Sequence, residues 1–405
     1  MTGPIGSNPK IIERFNMTEI GLKVVRLLST TAILSLLLCL GGSGVDPESI
    51  EDKIFDRTDL RGADLSGLDL SDAELNQSDL RGTSLKDADL RNAYLISAWL
   101  VDAELTGAKL RGADLTGADL SGAILTGADI SEATLWGAKM SEAVLVDSDM
   151  TKADLTRADL SDADLTGAEL TNARLFRTDL SGATMVDVYL IGGNFVGAHM
   201  SWADMSNSYL NRGQFSRAEF YGTDLSGADL TDADFSRAYL MRSDLSGANL
   251  NWALLAYADL TEAKLIGANL RGTKLPYADL TGADLSGADL TDADLTSVRL
   301  VKANMTNARL GRVYLQGLDL RNVDLSGAYL KNANLDRIYL TNANLTRADL
   351  REATLTTVEM TGADLSGANL ENVRYDQFTL FSLSKANMDG VLMGDDLRRD
   401  LEALS

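Results

Sequence analysis

His199 is the only histidine and Cys39 the only cysteine in 405 residues, and those two counts remove most catalytic chemistry. A His/Cys metal centre, a disulfide framework and nearly every nucleophile–base pair need partners this chain lacks. Carboxylates remain, since 59 acids against 37 bases leave a net charge of −22. Two acids can hydrolyse a glycosidic bond, but only in a cleft that positions and desolvates them. So acidic a chain repels a phosphate backbone, which argues against nucleic acid as a partner. No residue set points to a cofactor or a metal. What the remaining groups can do depends on the elements that space them.

That spacing is a repeat of five. From Leu60 to Leu380 an apolar residue occupies every fifth position, 65 sites without a break, 52 of them Leu. Two residues before most sites the side chain is small, Ala in 44 of the 65, as in Ala63-Asp64-Leu65 and Ala283-Asp284-Leu285. An α-helix turns about 100° per residue and would smear a five-residue period around its axis. An extended tripeptide suits it, because residues two apart share a face. Ser, Thr or Arg and then Gly, Asp or Asn follow and turn the chain. One such unit buries almost nothing alone, so stability must come from stacking coil on coil.

The pattern A-(D/N)-L-(S/T/R)-x, as in Ala228-Asp229-Leu230-Thr231-Asp232, resembles the pentapeptide-repeat family. The resemblance implies an all-β solenoid: a right-handed quadrilateral β-helix, four pentads to the coil, with Leu and Ala inside. Gly193 before Phe195 and Gly213 before Phe215 independently support twenty residues per coil, since a missing methyl in stacked neighbours makes room for a larger ring. About 16 coils at roughly 4.8 Å each make a rod about 80 Å long.

Five segments follow: a polar tail at 1–21, a hydrophobic helix at 22–45, a linker at 46–57, the β-helix at 58–380, and a register-shifted last coil with a capping helix at 381–405. Beyond Leu380 the frame slips by two residues to Leu383, Met388 and Met393, and Asp395 to Leu404 reads as a short amphipathic helix. It is expected to cap the rod, with dimerisation through this segment as the alternative. Residues 27–45 carry no charge over nineteen positions, about the minimum for a membrane span. Lys10, Arg14, Lys23 and Arg26 precede it, which keeps the N-terminus inside and puts the β-helix outside. A secretory signal cut near Gly42-Ser43-Gly44 and a docked N-terminal cap are the competing readings.

Stacking at twenty residues sorts the outer surface into four faces. Their net charges are about −7, −9 and −4 for those beginning at Leu60, Leu65 and Leu70, and about +1 for the fourth, beginning at Leu75. On the fourth face the second residue after each centre is never acidic and includes Arg157, Arg177, Arg217, Arg237, Tyr257, Tyr277 and Arg337; Trp136, Phe176 and Tyr314 lie on the same face. Arg, Tyr and Trp are what binding surfaces favour. The plainer reading is that Arg stems cover apolar rungs and pair with nearby Asp. A second patch gathers Tyr189 and Tyr209 on one face and His199, Trp202, Tyr221 and Tyr239 on the next. Asp204, Asp224 and Asp244 form a column that could share a cation. The glycine-rich nonapeptide of calcium-binding β-rolls is absent, so local bonds to backbone are the expectation.

These readings favour a non-enzymatic acidic scaffold, membrane-tethered or exported, that binds an unidentified protein through one face. Two alternatives stand beside it. Some members of the resembled family mimic duplex DNA and bind DNA gyrase, but about 19 net charges over about 80 Å fall well below one per about 1.7 Å in the duplex. The other is a cation-binding acidic rod. Burying each Leu should contribute about 1.5–3 kcal/mol, so Leu225→Asp is expected to unfold neighbouring coils; circular dichroism showing wild-type stability would refute the inward assignment.

Overall fold

The computed structural model describes residues 56–313 and 315–404. The N-terminal tail, the hydrophobic segment 27–45, Cys39 and Tyr314 lie outside the described residues. From Asp59 onward the residue before each pentad centre bridges in parallel to the residue twenty positions later, as Asp59 does to Asp79 and Asp114 to Thr134. Each bridge is flanked by paired backbone bonds: Leu60 N–H donates to Asp79 O at 2.8 Å and Asp79 N–H to Thr58 O at 2.8 Å.

The centre and the small residue two before it turn inward, and nearly all of them are fully buried. Between pentads the chain turns a corner. The Ala113 N–H donates to Leu110 O at 2.9 Å, and the second residue after each centre sits at positive φ, from Arg57 at 69° to Asn372 at 59°. Gly fits this corner at no steric cost, and Asn and Asp tolerate it better than other residues. Here Arg, Trp and Tyr also occupy it, at Arg157, Trp202 and Tyr257.

The core follows the expected compensation. A methyl on Gly193 or Gly213 would collide with the ring of Phe195 or Phe215, and those rings stack at 4.9 Å, with Phe235 4.8 Å beyond Phe215. Where a hydroxyl replaces the inward Ala it usually donates to the wall: Thr178 to Leu155 O at 2.8 Å and Thr223 to Met200 O at 2.7 Å. The buried Ser148 hydroxyl has no partner.

Among the described residues one rung interrupts the ladder. No bridge joins Arg299 to Asp319, and neither Leu300 N–H nor Lys302 N–H donates to the next coil. The small inward column of this face reads Ala258, Ala278, then Val298 and Leu318. The gap falls where that column turns from Ala to Val298 and Leu318, but bulk alone does not open a rung: Leu318 and Ile338 are also successive, and there Asp319 bridges Tyr339 with Leu320 N–H on Tyr339 O at 2.8 Å. On the opposite side Leu310 N–H still donates to Tyr329 O at 2.8 Å, although Arg312 N–H makes no bond to the next coil.

The C-terminal end corrects one boundary. Leu380 is not a pentad centre; it lies in helix α1, Gln377–Leu383, which follows the short strands β1 Thr354–Leu355, β2 Asn369–Leu370 and β3 Arg374–Tyr375. The run of fives continued through Leu380 because this helical residue is buried as well. β1 pairs with β3 at the usual twenty, whereas β2 pairs with β4, Leu392–Met393, at twenty-three. The helix thus adds three residues to the coil. Its polar side chains take the place of the missing rung: Asp376 accepts from Thr357 N–H at 2.9 Å, Thr379 from Val358 N–H at 3.0 Å, and Ser382 from Met360 N–H. Helix α2, Asp395–Glu402, covers the end with buried Leu397, and Tyr375 donates to Asp400 at 2.8 Å.

Ser148→Ala should raise stability by about 1 kcal/mol, since it removes an orphan donor at a site where Ala is the rule; a lower melting temperature would contradict this. Amide exchange should be faster at Leu300 and Lys302 than at Leu280 and Gly282 one coil earlier, and equal protection would refute the gap.

Candidate functional site

A rung geometry this regular restricts whom a side chain can meet. A residue just after the centre reaches back two positions, so D-L-R pentads close on themselves: Arg91 Nε and Nη2 bond Asp89 at 2.7 and 2.6 Å, and Arg351 binds Asp349 alike. D-L-S and D-L-T pentads do the same with backbone and hydroxyl, as at Asp114, which accepts from Thr116 N–H at 3.0 Å and from its hydroxyl at 2.6 Å. These bonds hold the Asp79, Asp89, Asp319 and Asp349 carboxyls below their ordinary range, chiefly through the arginine side-chain bond. Asp204, Asp224 and Asp244 accept from the N–H groups of Ser206, Ser226 and Ser246 at 2.8–3.0 Å, and Lys264 reaches Asp244 at 3.1 Å. Their lone pairs are directed at the wall, as expected of solvated, locally bonded acids. Among the described residues no group of His, Cys, Asp or Glu is arranged to hold a metal ion.

Corner residues behave differently. They lean along the rod and meet the corner twenty positions away: Arg242 pairs with Glu262 at 2.7 Å, Arg312 with Asp292 at 2.6 Å, and the Trp202 ring lies over Gly222. A corner arginine such as Arg242 or Arg312 finds its carboxylate in its own column. The fourth-face column supplies none, and Arg157, Arg177, Arg217 and Arg237 make no ion pair among the described residues. Three lie over rings instead: Arg157 over Trp136 at 5.7 Å, Arg177 over Phe176 at 5.2 Å and Arg237 over Tyr257 at 5.5 Å. Tyr257 and Tyr277 continue the ladder, stacked at 5.0 Å. Pairing with nearby Asp holds for Arg337, whose Nε is 3.6 Å from Asp336, but not for the other four.

The second patch is divided. Tyr189 and Tyr209 stack at 4.8 Å in the column of the third pentad. His199 bridges Asp179 and Glu219 in the column of the first pentad and holds Glu219 at 3.0 Å through Nδ1. In a coil of four pentads those columns are on opposite sides, so the expectation of adjacent faces fails by one side. Trp202 and Tyr221 meet edge to face at 5.2 Å beside His199, with Arg242 bonding the Tyr221 hydroxyl at 2.7 Å. What the sequence reading missed was that corner and wall positions pair in different ways; the signal was present in the positions of Asp relative to Arg.

An open recess of about 390 Å³ lies at the first coils, lined by Arg57, Asp59, Gln77, Asp79 and Trp99. Its carboxylates are committed: Arg61 bonds Asp59 at 2.7 Å and lowers that carboxyl to about 2, and Arg81 bonds Asp79 at 2.6 Å. Acids held ionised this way cannot serve as proton donors near neutral pH. No described helix is long and apolar enough to cross a membrane.

Two pH effects follow. Depressed carboxyls such as Asp79 and Asp89 contribute stability that is present above about pH 4 and lost as pH falls through their folded values; thermal melts should be flat from pH 7 to about 4 and then decline, the decline shrinking in Asp89→Asn. Burial, with Asp400 beside it, pushes the Tyr375 hydroxyl up to about 12. That contribution is complete below about pH 10, where the unfolded phenol is still protonated, and is lost as pH rises toward 12; the wild-type C-terminal cap should loosen over this range, with Tyr375→Phe showing no such step.

The family model for pentapeptide repeats matches overlapping segments that run without a gap from residue 54 to 372. No curated protein matches the chain. Among solved structures it is similar to HetL, a pentapeptide repeat protein involved in heterocyst differentiation regulation in Nostoc sp. strain PCC 7120, at 34% identity over 50% of this chain and 89% of that one, TM-score 0.36. A pentapeptide repeat protein of the Arabidopsis thaliana thylakoid lumen matches at 28% identity over 40% of this chain and 90% of that one, TM-score 0.14. QnrB1, a plasmid-mediated fluoroquinolone resistance protein, matches at 16% over 60% of this chain and 94% of that one, TM-score 0.19. With the repeat matched over most of its length, bridged every twenty residues and filled by its Leu and Ala, the chain belongs to the pentapeptide-repeat family, whose fold is the right-handed quadrilateral β-helix.

Proposed function

We propose that this protein is a non-catalytic, membrane-tethered or exported scaffold that binds another protein through its fourth face. The observation that carries the reading is the run of corner arginines, Arg157, Arg177, Arg217 and Arg237, without carboxylate partners on a rod that pairs many of its other arginines. A guanidinium left to water and ring contacts keeps its donors available to a ligand. Trp136, Tyr257 and Tyr277, each about half exposed, extend the same edge and are suited to binding. The uncharged stretch 27–45 behind basic residues supports the tether. Mimicry of duplex DNA is the weaker reading, because charge is concentrated on three faces and this edge is cationic.

Photo-crosslinking in producing cells tests it. A photoreactive side chain replacing Val196 on the fourth face is expected to trap a defined partner, and one replacing Ser206 on an acidic face to trap none. Equal trapping from both, or none from either, would overturn the assignment.

A further inference from the structure

The fourth-face ladder also constrains the chemistry of what lies on it. We propose that it receives an acidic amphipathic helix lying parallel to the rod, with one carboxylate per turn on the arginines; this rests on the contact-face reading above. Arg157 to Arg237 spans four rungs, about 19 Å, with arginines on four of the five corners and Gly197 at the missing one. A helix advances about 5.4 Å per turn, so a one-per-turn acid stripe drifts about 0.6 Å per rung and about 2.4 Å over the run, which flexible arginine stems absorb. An extended strand presents same-side groups about 6.8 Å apart and would drift about 8 Å over the same run.

The flanks of the ladder favour the same occupant. On one side the column just past the corner carries Asp159, Asp179 and Glu219, which repel a wide polyanion such as duplex nucleic acid. On the other, the column just before the corner is uncharged along the run, Thr156, Phe176, Val196, Ser216 and Ser236, with Trp136 one rung before it; an apolar helix side can pack at Phe176 and Val196. A helix about 10 Å across can place its acids on the ladder and its leucines on that stripe without covering the acidic wall. Beyond Arg237 the edge offers the phenols of Tyr257 and Tyr277, which donate to carboxylates as well.

The test uses the full-length protein and a fluorescein-labelled synthetic 18-residue helix with one Glu per turn and Leu beside it, followed by anisotropy at low and moderate salt. Binding is expected, weakened at least tenfold when Arg157, Arg177, Arg217 and Arg237 are all changed to Gly, a residue many other corners already carry and which leaves the fold intact. Changing Lys109, Lys139, Lys264 and Arg299 to Gln removes the same charge from the acidic faces and should alter binding less than twofold. The proposal is overturned if the glycine variant binds as wild type does, or if a proline-interrupted peptide of equal composition or single-stranded DNA binds as tightly as the helix. Should the helix fail while fourth-face cross-links persist, the helical ligand is wrong and the contact face stands; should both fail, the face falls as well.

Discussion

Nearly every described rung of this protein is fixed at the spacing of a parallel backbone ladder, and that spacing decides which side chains can meet. Wall acids just before a centre bond the residue just after it, so most Asp–Arg and Asp–Ser pairs are settled inside one pentad. Corner residues reach the corners above and below, as Arg242 to Glu262 and Arg312 to Asp292 show, or the residue just after a centre, as Arg337 to Asp336 and Arg157 to Trp136 show. Surface electrostatics is thereby confined to neighbouring columns. Where a corner column has no acids, four of its arginines, Arg157, Arg177, Arg217 and Arg237, make no ion pair even though the molecule carries a net charge of −22.

Much of this was legible in the sequence because a five-residue period admits few backbones. The inward Leu and Ala, the Gly193 and Gly213 allowances for Phe195 and Phe215, and the acid-free column all follow from counting positions. The allowance is not general: Phe220 and Phe235 follow Ala218 and Ala233, so a ring can also be accepted beside a methyl where neighbouring rings tilt, as Phe220 and Phe235 do at 55°. Helix α1 escaped because its Leu380 keeps the five-residue rhythm while the chain around it has stopped being extended. Burial alone cannot tell a centre from a helical residue packed on the same core; the hydroxyl groups of Thr379 and Ser382, placed where the last rung needed acceptors, were the distinguishing signal.

The corners explain why so plain a core can carry a varied surface. A side chain other than glycine at positive φ costs on the order of 1 kcal/mol, yet most corners here bear one. Part of that cost is offset locally: Asn92 and Asp162 lie over Gly112 and Gly182 of the following coil, and Trp252 covers Gly272. Glycine above makes the room that the side chain below fills. Such alternation along a column fixes surface groups without any contribution from the interior.

The one break in the described ladder bears on the proposed contact face by its position. Arg299 and Asp319 are unbridged on the first pentad's side, one coil past Tyr277, whereas every described rung from Arg157 through Tyr277 is bridged. An elongated ligand that reads equally spaced cations needs a segment that does not flex, since a loosened rung would change the spacing itself. The inward column keeps Ala158, Ala198, Ala218, Ala238, Ala258 and Ala278 beside that segment, with Thr178 bonded into the wall, and admits bulk only after it. Small residues in the core and an even ladder outside are thus two consequences of the same column, and the arginine run lies wholly on bridged rungs.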